Sequence, residues 1–225
     1  MQRVIYHGSN HIITKPKFGF GNKHNDYGLG FYCTEDLNLA KEWAVSAKES
    51  GYANCYTIDE KGLNICDLRE ESFTCLHWLE ILLQNRIFSL NTPISKEAAK
   101  YLKENFYTDI SDADVLIGYR ADDSYFSFAM DFLNNTISVG QLKEALVLGK
   151  LGFQYVLKSR RAFNRINFVK SELASSDEWY PKKKSRDIKA RQAYFNMDAK
   201  DYIKNDLYMI HILDQKVRSD DLRLR

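Results

Sequence analysis

Three short segments of the chain combine glycine, polar and aromatic residues that could form a binding or catalytic site. VIYHGSN near the N-terminus offers an imidazole, His7, beside a glycine. GLGFYCTEDLNLAKEWA, which follows it, offers two aromatic rings, Tyr32 and Trp43, eleven residues apart. GFQYVLKS, in the second half of the chain, offers the amide of Gln154. A single histidine after a strand, or a single tyrosine within one, is usually structural, so any functional meaning depends on the three segments together.

Other common site chemistries find little support in the residue patterns. His7 and His11 are four residues apart, as metal ligands on a helix would be. However, Gly-Ser-Asn between them indicates a turn and no Glu-x-x-His accompanies them, so we expect no metal. The glycine-rich stretch GFGNKHNDYGLG does not match a phosphate-binding loop, because no strand precedes it and no Gly-Lys-Ser/Thr follows. The cysteines form no Cys-x-x-Cys pair, which predicts reduced thiols.

The composition predicts one globular domain, with 225 residues, 44% apolar content and a formal net charge of only +2. A charge this small does not favour binding of the whole protein to nucleic acid or to an anionic membrane. No segment resembles a signal peptide or a membrane span, which predicts a cytoplasmic protein with no membrane partner. The local exception is PKKKSRDIKAR, residues 181–191, with six basic residues and one acid. It is either a solvated helix face or a contact for phosphates or an acidic partner.

Hydrophobic periodicity and turn residues predict the elements that must position these segments. Strands are predicted at 3–6, 30–34, 114–119, 153–159 and 166–173, with two more inside 54–68 joined at Lys61-Gly62. Helices are predicted at 36–50, 72–89, 95–106, 124–134, 138–148 and 182–204, the first capped by Thr34 or Asp36. Because strands and helices do not alternate strictly, the predicted fold class is α+β rather than a doubly wound sheet.

Taken in order, the three segments resemble the PARP-like, diphtheria-toxin-type ADP-ribosyltransferases. His-Gly-Ser ending a first strand, Gly-x-Gly-Phe-Tyr opening the next, and an aromatic residue eleven positions later match the first part of their His-Tyr-Glu pattern. Phe153 to Leu157 stands where the superfamily has Asn-Glu-Tyr-Ile-Val. The resemblance runs from residue 4 to about 173 and looks closest to a bacterial branch of the superfamily. It implies a split two-sheet core with inserted helices and a helical C-terminal extension.

The resemblance also implies a role for each matching residue in binding NAD as a substrate. His7 would hydrogen-bond the adenine ribose, and Gly8 would offer its main chain to the nicotinamide carboxamide. Tyr32 and Trp43 would sandwich the nicotinamide ring, whose positive charge favours contact with aromatic faces. The predicted NAD-binding set is completed by Ser9 and Gly30.

Two departures from the superfamily pattern affect the expected mechanism. Ala40 stands where eukaryotic relatives have a serine that bonds the nicotinamide amide, a loss of about 0.5–1.5 kcal/mol. Gln154 stands in place of the catalytic glutamate, so it retains a hydrogen bond to the ribose 2′-hydroxyl without the negative charge or the basicity. The predicted catalytic set is therefore His7, Tyr32 and Gln154.

The missing carboxylate leaves several interpretations open. An active enzyme needs a target that brings its own nucleophile, or another acidic residue that acts as the general base. The candidates for that acid are Asp122, Asp123 and Glu144. The two aspartates also suit the N-cap of the helix that follows, and the polar-aromatic run DDSYFSF could hold a target group. Otherwise the protein hydrolyses NAD or transfers ADP-ribose slowly, or it only binds NAD.

Together, these observations predict a catalytic domain over residues 1–175, with a helical insertion at about 70–106, and a basic helical extension over 176–225 packed on it. The expected function is transfer of ADP-ribose from NAD to a protein or nucleic acid, with release of nicotinamide. Alternatives are an NAD-binding regulatory module, an NAD glycohydrolase, or a transferase that removes a 2′-phosphate from RNA, although the arginines typical of that last branch are not found near YHGSN. Bacterial enzymes of this type often act as toxins controlled by a partner protein, which implies an antitoxin partner.

Overall fold

The computed structural model describes residues 2–121, 123–150, 152–198 and 202–224, and it places seven strands and eight α-helices in them. The strands are β1 (Gln2–Ser9), β2 (Phe31–Cys33), β3 (Gly51–Asp59), β4 (Ile65–Asp67), β5 (Val115–Tyr119), β6 (Phe153–Leu157) and β7 (Ile166–Ala174). The helices are α1 (Leu37–Ala44), α2 (Cys75–Asn85), α3 (Pro93–Asn105), α4 (Asp123–Leu133), α5 (Val139–Val147), α6 (Arg160–Phe163), α7 (Ser176–Asp198) and α8 (Met209–Asp214). This mixture confirms the predicted α+β class.

The strands form two sheets that pack on each other through buried side chains and are joined by one backbone bridge. One sheet has the order β1-β3-β7 and the other has the order β2-β6-β5-β4, with only the β4–β5 pair parallel. Tyr6 of β1 and Thr34, just after β2, exchange backbone hydrogen bonds of 2.8 and 2.9 Å. Beyond this bridge β1 and β2 separate, which opens a cleft between the two sheets at the positions of the first two sequence motifs.

Alternation along β6 assigns its side chains to two different cores. Tyr155 and Leu157 pack between the two sheets, whereas Val156 packs into the larger core formed with the helices. Because alternate residues of a strand share a face, Gln154 lies on the same side of the sheet as Val156. Tyr32 of β2 is directly opposite Val156 in the antiparallel pair. The sheet therefore brings Tyr32 and Gln154 to the same face.

The C-terminal part of the chain is built into the larger core. Tyr194 of α7 and Met209 and Ile212 of α8 are buried in that core with residues of α2 to α5. Tyr101 of α3 donates a hydrogen bond of 3.0 Å to the carbonyl oxygen of Val217. None of the described helices is long and apolar enough to cross a membrane.

Several predicted boundaries are wrong, and tertiary contacts explain them. Helix α1 ends at Ala44 rather than near residue 50, because Val45 is already extended and β3 begins at Gly51, which packs closely against the Ala44 carbonyl. Strand β1 continues to Ser9 because its pairing with β3 continues that far. Helix α7 begins at Ser176 rather than at 182, with Pro181 inside it, because Trp179 is buried in a small cluster that holds its first turn. The short helices α6 and α8 were not predicted.

Candidate functional site

A cavity of about 1030 Å³ opens where the two sheets separate. Strands β1, β2 and β6, helices α1 and α7, and the glycine-rich loop before β2 all contribute to its walls. Six of the predicted site residues line it: His7, Gly8, Gly30, Tyr32, Trp43 and Gln154. Residues that are far apart in sequence and were selected by motif therefore meet in one place.

The remaining predicted site residues are placed elsewhere or are not described. Ser9 is partly buried at the end of β1, where its hydroxyl accepts a hydrogen bond of 3.2 Å from the His11 N–H, and it is not part of the cavity wall. Glu144 is exposed on α5 and likewise does not line the cavity. Asp122 lies outside the described residues. Asp123 is the first residue of α4, and its side chain is also outside the described part.

His7 is held in one tautomer at the point where β1 and β2 separate. Its Nδ1 lies 2.6 Å from the carbonyl oxygen of Tyr32, and its ring stacks on Phe31 with centroids 4.3 Å apart. A carbonyl oxygen can only accept, so Nδ1 carries the proton. Burial lowers the pKa of His7, and the bond to the carbonyl only partly opposes this. At neutral pH the ring is therefore neutral, and Nε2 can accept a hydrogen bond from a ligand hydroxyl.

The hydroxyl of Tyr32 is already used in shaping the loop that leads into β2. It donates a hydrogen bond of 2.6 Å to the Gly28 carbonyl oxygen and accepts one of 3.1 Å from the Tyr27 N–H. Gly28 itself has φ +72°, a conformation that favours glycine. Burial raises the pKa of Tyr32, so the phenol stays neutral. What Tyr32 can offer a ligand is therefore the face of its ring.

Trp43 presents an aromatic face on which a cation is already stacked. The guanidinium of Arg120 lies 4.5 Å from the centroid of the Trp43 ring. Planar cations bind the face of an indole by a cation–π interaction, so this contact demonstrates that a flat, positively charged group fits against Trp43. The indole Nε1 is buried and has no hydrogen-bond partner.

Gln154 is the second residue of the cavity with an unpartnered polar atom. Its Nε2 donates a hydrogen bond of 3.2 Å to Oδ2 of Asp26, while its Oε1 is buried without a partner. Within the described part of the chain, Gln154 Oε1 and Trp43 Nε1 are the only two buried side-chain nitrogen or oxygen atoms in this state. An unsatisfied buried polar group costs about 1–3 kcal/mol and usually indicates a bound ligand or water. A ligand with a donor near Gln154 and an acceptor near Trp43 would remove both costs.

Asp26 is a cavity residue that the sequence did not reveal. It lies in the glycine-rich loop, is only 4% exposed, and accepts hydrogen bonds from Arg86 Nη1 at 2.7 Å and from the Ala121 N–H at 2.9 Å. Burial raises the pKa of Asp26, and the bonds from Arg86 and Ala121 oppose that effect by favouring the ionised form. Its contacts lie 60 to 128 residues away along the chain, so no local pattern could have identified it.

The cavity concentrates positive charge that the whole chain does not show. Its wall includes three carboxylates, from Asp26, Glu42 and Asp187, and eight basic side chains, so the formal charge of the described lining is +5 against +2 for the entire protein. The basic residues are Lys15, Lys17, Arg86, Arg120, Lys183, Lys184, Arg186 and Arg191. Such a lining favours an anionic ligand.

One face of the predicted basic helix forms part of this lining. Arg186 of α7 makes two hydrogen bonds of 2.8 and 2.9 Å to the carboxylate of Glu42 on α1, which fastens the helix beside the cavity. Lys183 and Lys184 also line the cavity. Lys182 points elsewhere, because it pairs with Glu178 at 2.7 Å outside the cavity wall. The stretch thus divides into a cavity face and a solvated face.

Helix packing accounts for the glycine at position 8. A Cβ at Gly8 would overlap the carbonyl oxygen of Ala40 and would lie 2.8 Å from Cβ of Trp43. A Cβ at Gly30 would lie 2.6 Å from Val156 Cγ1 on β6. These glycines let α1 pack on β1, and β2 on β6, at distances that no other residue permits. The requirement for glycine therefore needs no close approach of a ligand.

The fold and the cavity define an α+β protein with two diverging sheets and a cationic, partly aromatic pocket between them. A family model described as a protein of unknown function (DUF3990) matches residues 3–168, so the chain belongs to that family. No curated protein and no solved structure matches the chain significantly. The matched region contains all the sheet residues of the site, whereas the wall formed by α7 lies beyond it. Among the described residues, no group of three or more His, Cys, Asp or Glu side chains could hold a metal ion.

Proposed function

We propose that this protein is an NAD-dependent ADP-ribosyltransferase that transfers ADP-ribose to a macromolecular target and releases nicotinamide. The observation that carries the proposal is the meeting of His7, Tyr32, Trp43 and Gln154 in one cavity. These are the residues that match the superfamily motifs, and they come from four separate elements. The two sheets that diverge after one bridge are also what the ADP-ribosyltransferase fold requires, and the proposal includes that fold.

The cavity has the size and the chemistry that NAD needs. Its volume of about 1030 Å³ is at the upper end of the range of typical small-molecule sites, as suits a dinucleotide. The faces of Tyr32 and Trp43 suit the cationic nicotinamide ring, and the basic lining suits the diphosphate. The neutral Nε2 of His7 and the free Oε1 of Gln154 are both acceptors for ribose hydroxyls.

The proposed reaction breaks the bond between nicotinamide nitrogen and ribose carbon. The electron pair of that bond leaves with nicotinamide, which becomes neutral, and the ribose carbon develops positive charge before the nucleophile of the target attacks it. Gln154 holds the 2′-hydroxyl through Oε1 during this step, but an amide cannot take the proton of the nucleophile. The proton must therefore pass to water or to a group of the target. A nucleophile that is already basic, or an anion, suits this site best.

The charge of the cavity bears on the target. NAD carries two phosphate charges and one nicotinamide charge of opposite sign, so the lining remains cationic after NAD is bound. This surplus supports an anionic target, with nucleic acid and an acidic protein segment as the two classes to compare. A toxin that a partner protein neutralises is the biological role implied by the resemblance to bacterial enzymes of this type.

The competing function is binding or slow hydrolysis of NAD without transfer, which the glutamine at position 154 favours. The two functions are separated by incubating the purified protein with adenylate-labelled NAD and whole-cell lysate, and by measuring released nicotinamide and retained label. Transfer leaves label in macromolecules that either protease or nuclease removes. Hydrolysis releases nicotinamide without retained label, and a binding module does neither.

A Gln154→Ala variant is the control for that experiment. By comparison with the loss of one preorganised hydrogen bond in a transition state, its rate of nicotinamide release is expected to fall about 100-fold. Its affinity for NAD should change much less. If Gln154→Ala releases nicotinamide at the native rate, Gln154 is not part of the proposed site.

A further inference from the structure

The contact between Gln154 and Asp26 fixes which end of the glutamine amide faces the cavity. Oδ2 of Asp26 is 3.2 Å from Nε2 of Gln154 and also accepts the Ala121 N–H at 2.9 Å. A carboxylate only accepts hydrogen bonds, so the NH₂ end of the amide must point towards Asp26. The oxygen Oε1 then points away from Asp26, and it is this oxygen that is left without a partner.

We propose that Asp26 is a positioning residue for the reaction, and that the Asp26–Gln154 pair performs the work of the single carboxylate that position 154 lacks. This inference rests on the proposed function. Gln154 contributes the acceptor atom that contacts the ribose, and Asp26 contributes the orientation of that atom and the negative charge behind it.

The charge reaches the acceptor atom through the amide. An amide whose N–H bonds to an anion is polarised, so its oxygen becomes a stronger acceptor than in a free glutamine. Arg86 occupies the other carboxylate oxygen, Oδ1, at 2.7 Å, and so favours the ionised form of Asp26 without blocking the oxygen that faces Gln154. The three donors around the carboxylate offset the cost of burying its charge.

Asp26 also has structural contacts, which must be separated from its effect on Gln154. Asp26 also connects the glycine-rich loop to Arg86, the C-cap residue of α2, and to Ala121 after β5. An asparagine at position 26 has a single side-chain oxygen, so with that oxygen at the Oδ1 position it keeps the bond from Arg86 and loses the bond from the Ala121 N–H at the Oδ2 position. Its NH₂ group would then face the NH₂ group of Gln154, so the glutamine amide must turn over. The ribose would meet a donor instead of an acceptor.

The test is an exchange of the two groups. Asp26→Asn alone should reduce the kcat for nicotinamide release about 100-fold, with the Kd for NAD changed less than about threefold. Gln154→Glu alone should also lose activity, because two carboxylates then face each other at hydrogen-bond distance. The double variant Asp26→Asn/Gln154→Glu should recover to within about tenfold of the native kcat. In that variant the NH₂ group of the introduced asparagine again faces an acceptor at position 154, and a carboxylate oxygen faces the ribose.

Asp114 provides a matched control. It is a buried aspartate, 5% exposed, that pairs with Arg161 at 3.3 Å and accepts the Asn64 N–H at 2.8 Å, outside the cavity wall. Asp114→Asn should lower the thermal unfolding midpoint and leave kcat unchanged. Asp26→Asn should lower kcat even at temperatures where the variant is fully folded.

Each result decides the inference. A folded Asp26→Asn enzyme with native kcat, or a folded double variant as inactive as both single variants, would overturn the role of Asp26 and leave the proposed function intact. If Asp26→Asn does not fold, the double variant alone decides by the same criterion. A native protein that neither binds nor cleaves NAD would overturn the proposed function and this inference with it.

Discussion

Trp43 allows a direct test of where the nicotinamide ring binds. Trp43→Ala removes the ring that faces the cavity and the unpartnered Nε1. A cation on a partly desolvated indole face is worth about 1–2 kcal/mol, and a hydrogen bond gained by Nε1 about 1 kcal/mol. Arg120 already stacks on this ring at 4.5 Å, and displacing it would cost about 0.5–1 kcal/mol of that gain. The expected net loss on Trp43→Ala is therefore about 2 kcal/mol, or about a 30-fold increase in the Kd for NAD.

Calorimetry and fluorescence should be used together for this measurement. NAD should quench the tryptophan emission of the native protein, and Trp43→Ala should lose most of the quenching. Calorimetry then measures the affinity without depending on the indole that was removed. Trp43→Phe keeps an aromatic face but has no N–H, so it should lose only about 1 kcal/mol, or about fivefold in affinity.

Trp179 supplies the control. It is 8% exposed and contacts Lys41 and Lys182 outside the cavity wall, so Trp179→Phe should retain both the quenching and the affinity. Circular dichroism would establish that Trp43→Ala remains folded, since Trp43 also packs against the larger core. A Kd for Trp43→Ala within twofold of the native value would place the nicotinamide ring elsewhere.

Two further predictions concern pH and salt. Because the folded-state pKa of His7 is below its ordinary value of 6.5, the unfolded chain binds more protons below pH 6.5, so the free energy of unfolding should fall as the pH drops through that value. His7→Gln should reduce this slope in urea unfolding; His77, whose pKa burial also lowers, contributes to the slope in both proteins. An unchanged slope would contradict the burial of a neutral His7. Replacing Lys183 and Lys184 with alanine should lower the salt dependence of binding to a short single-stranded RNA by about 0.7 per lost phosphate contact, measured by fluorescence anisotropy. Lys182→Ala is the control. Equal effects from all three substitutions would indicate that these lysines form a solvated face without specific phosphate contacts.

The helices and strands that the sequence predicted correctly are those with strong local patterns. The runs that became β5 and β6, and the helices α2 to α5, have apolar residues at the spacing that each element needs, so their type could be recognised without the fold. The end of α1 could not, because it depends on where β3 begins and packs against α1, with Gly51 beside the Ala44 carbonyl. The start of α7 could not either, because a proline normally argues for a boundary and burial of Trp179 outweighs it here.

The candidate site shows the same division. His7, Tyr32, Trp43 and Gln154 could be selected because motif order is a property of the sequence. Asp26 could not be selected, because a lone aspartate among glycines reads as a turn residue. The acids that the sequence offered instead lie outside the described side chains or, in the case of Glu144, away from the cavity.

The sequence by itself determined the α+β class, the elements with strong periodicity and the residue types that could bind a flat, cationic ring. Only the tertiary structure decided that β1 and β2 separate after one bridge, that α7 carries part of its positive charge into the opening, and that Gln154 has a carboxylate behind it. The physical reason is the distance along the sequence over which each interaction acts. Periodicity and caps act over a few residues, whereas a cavity wall and a buried ion pair depend on contacts between residues 60 to 144 positions apart.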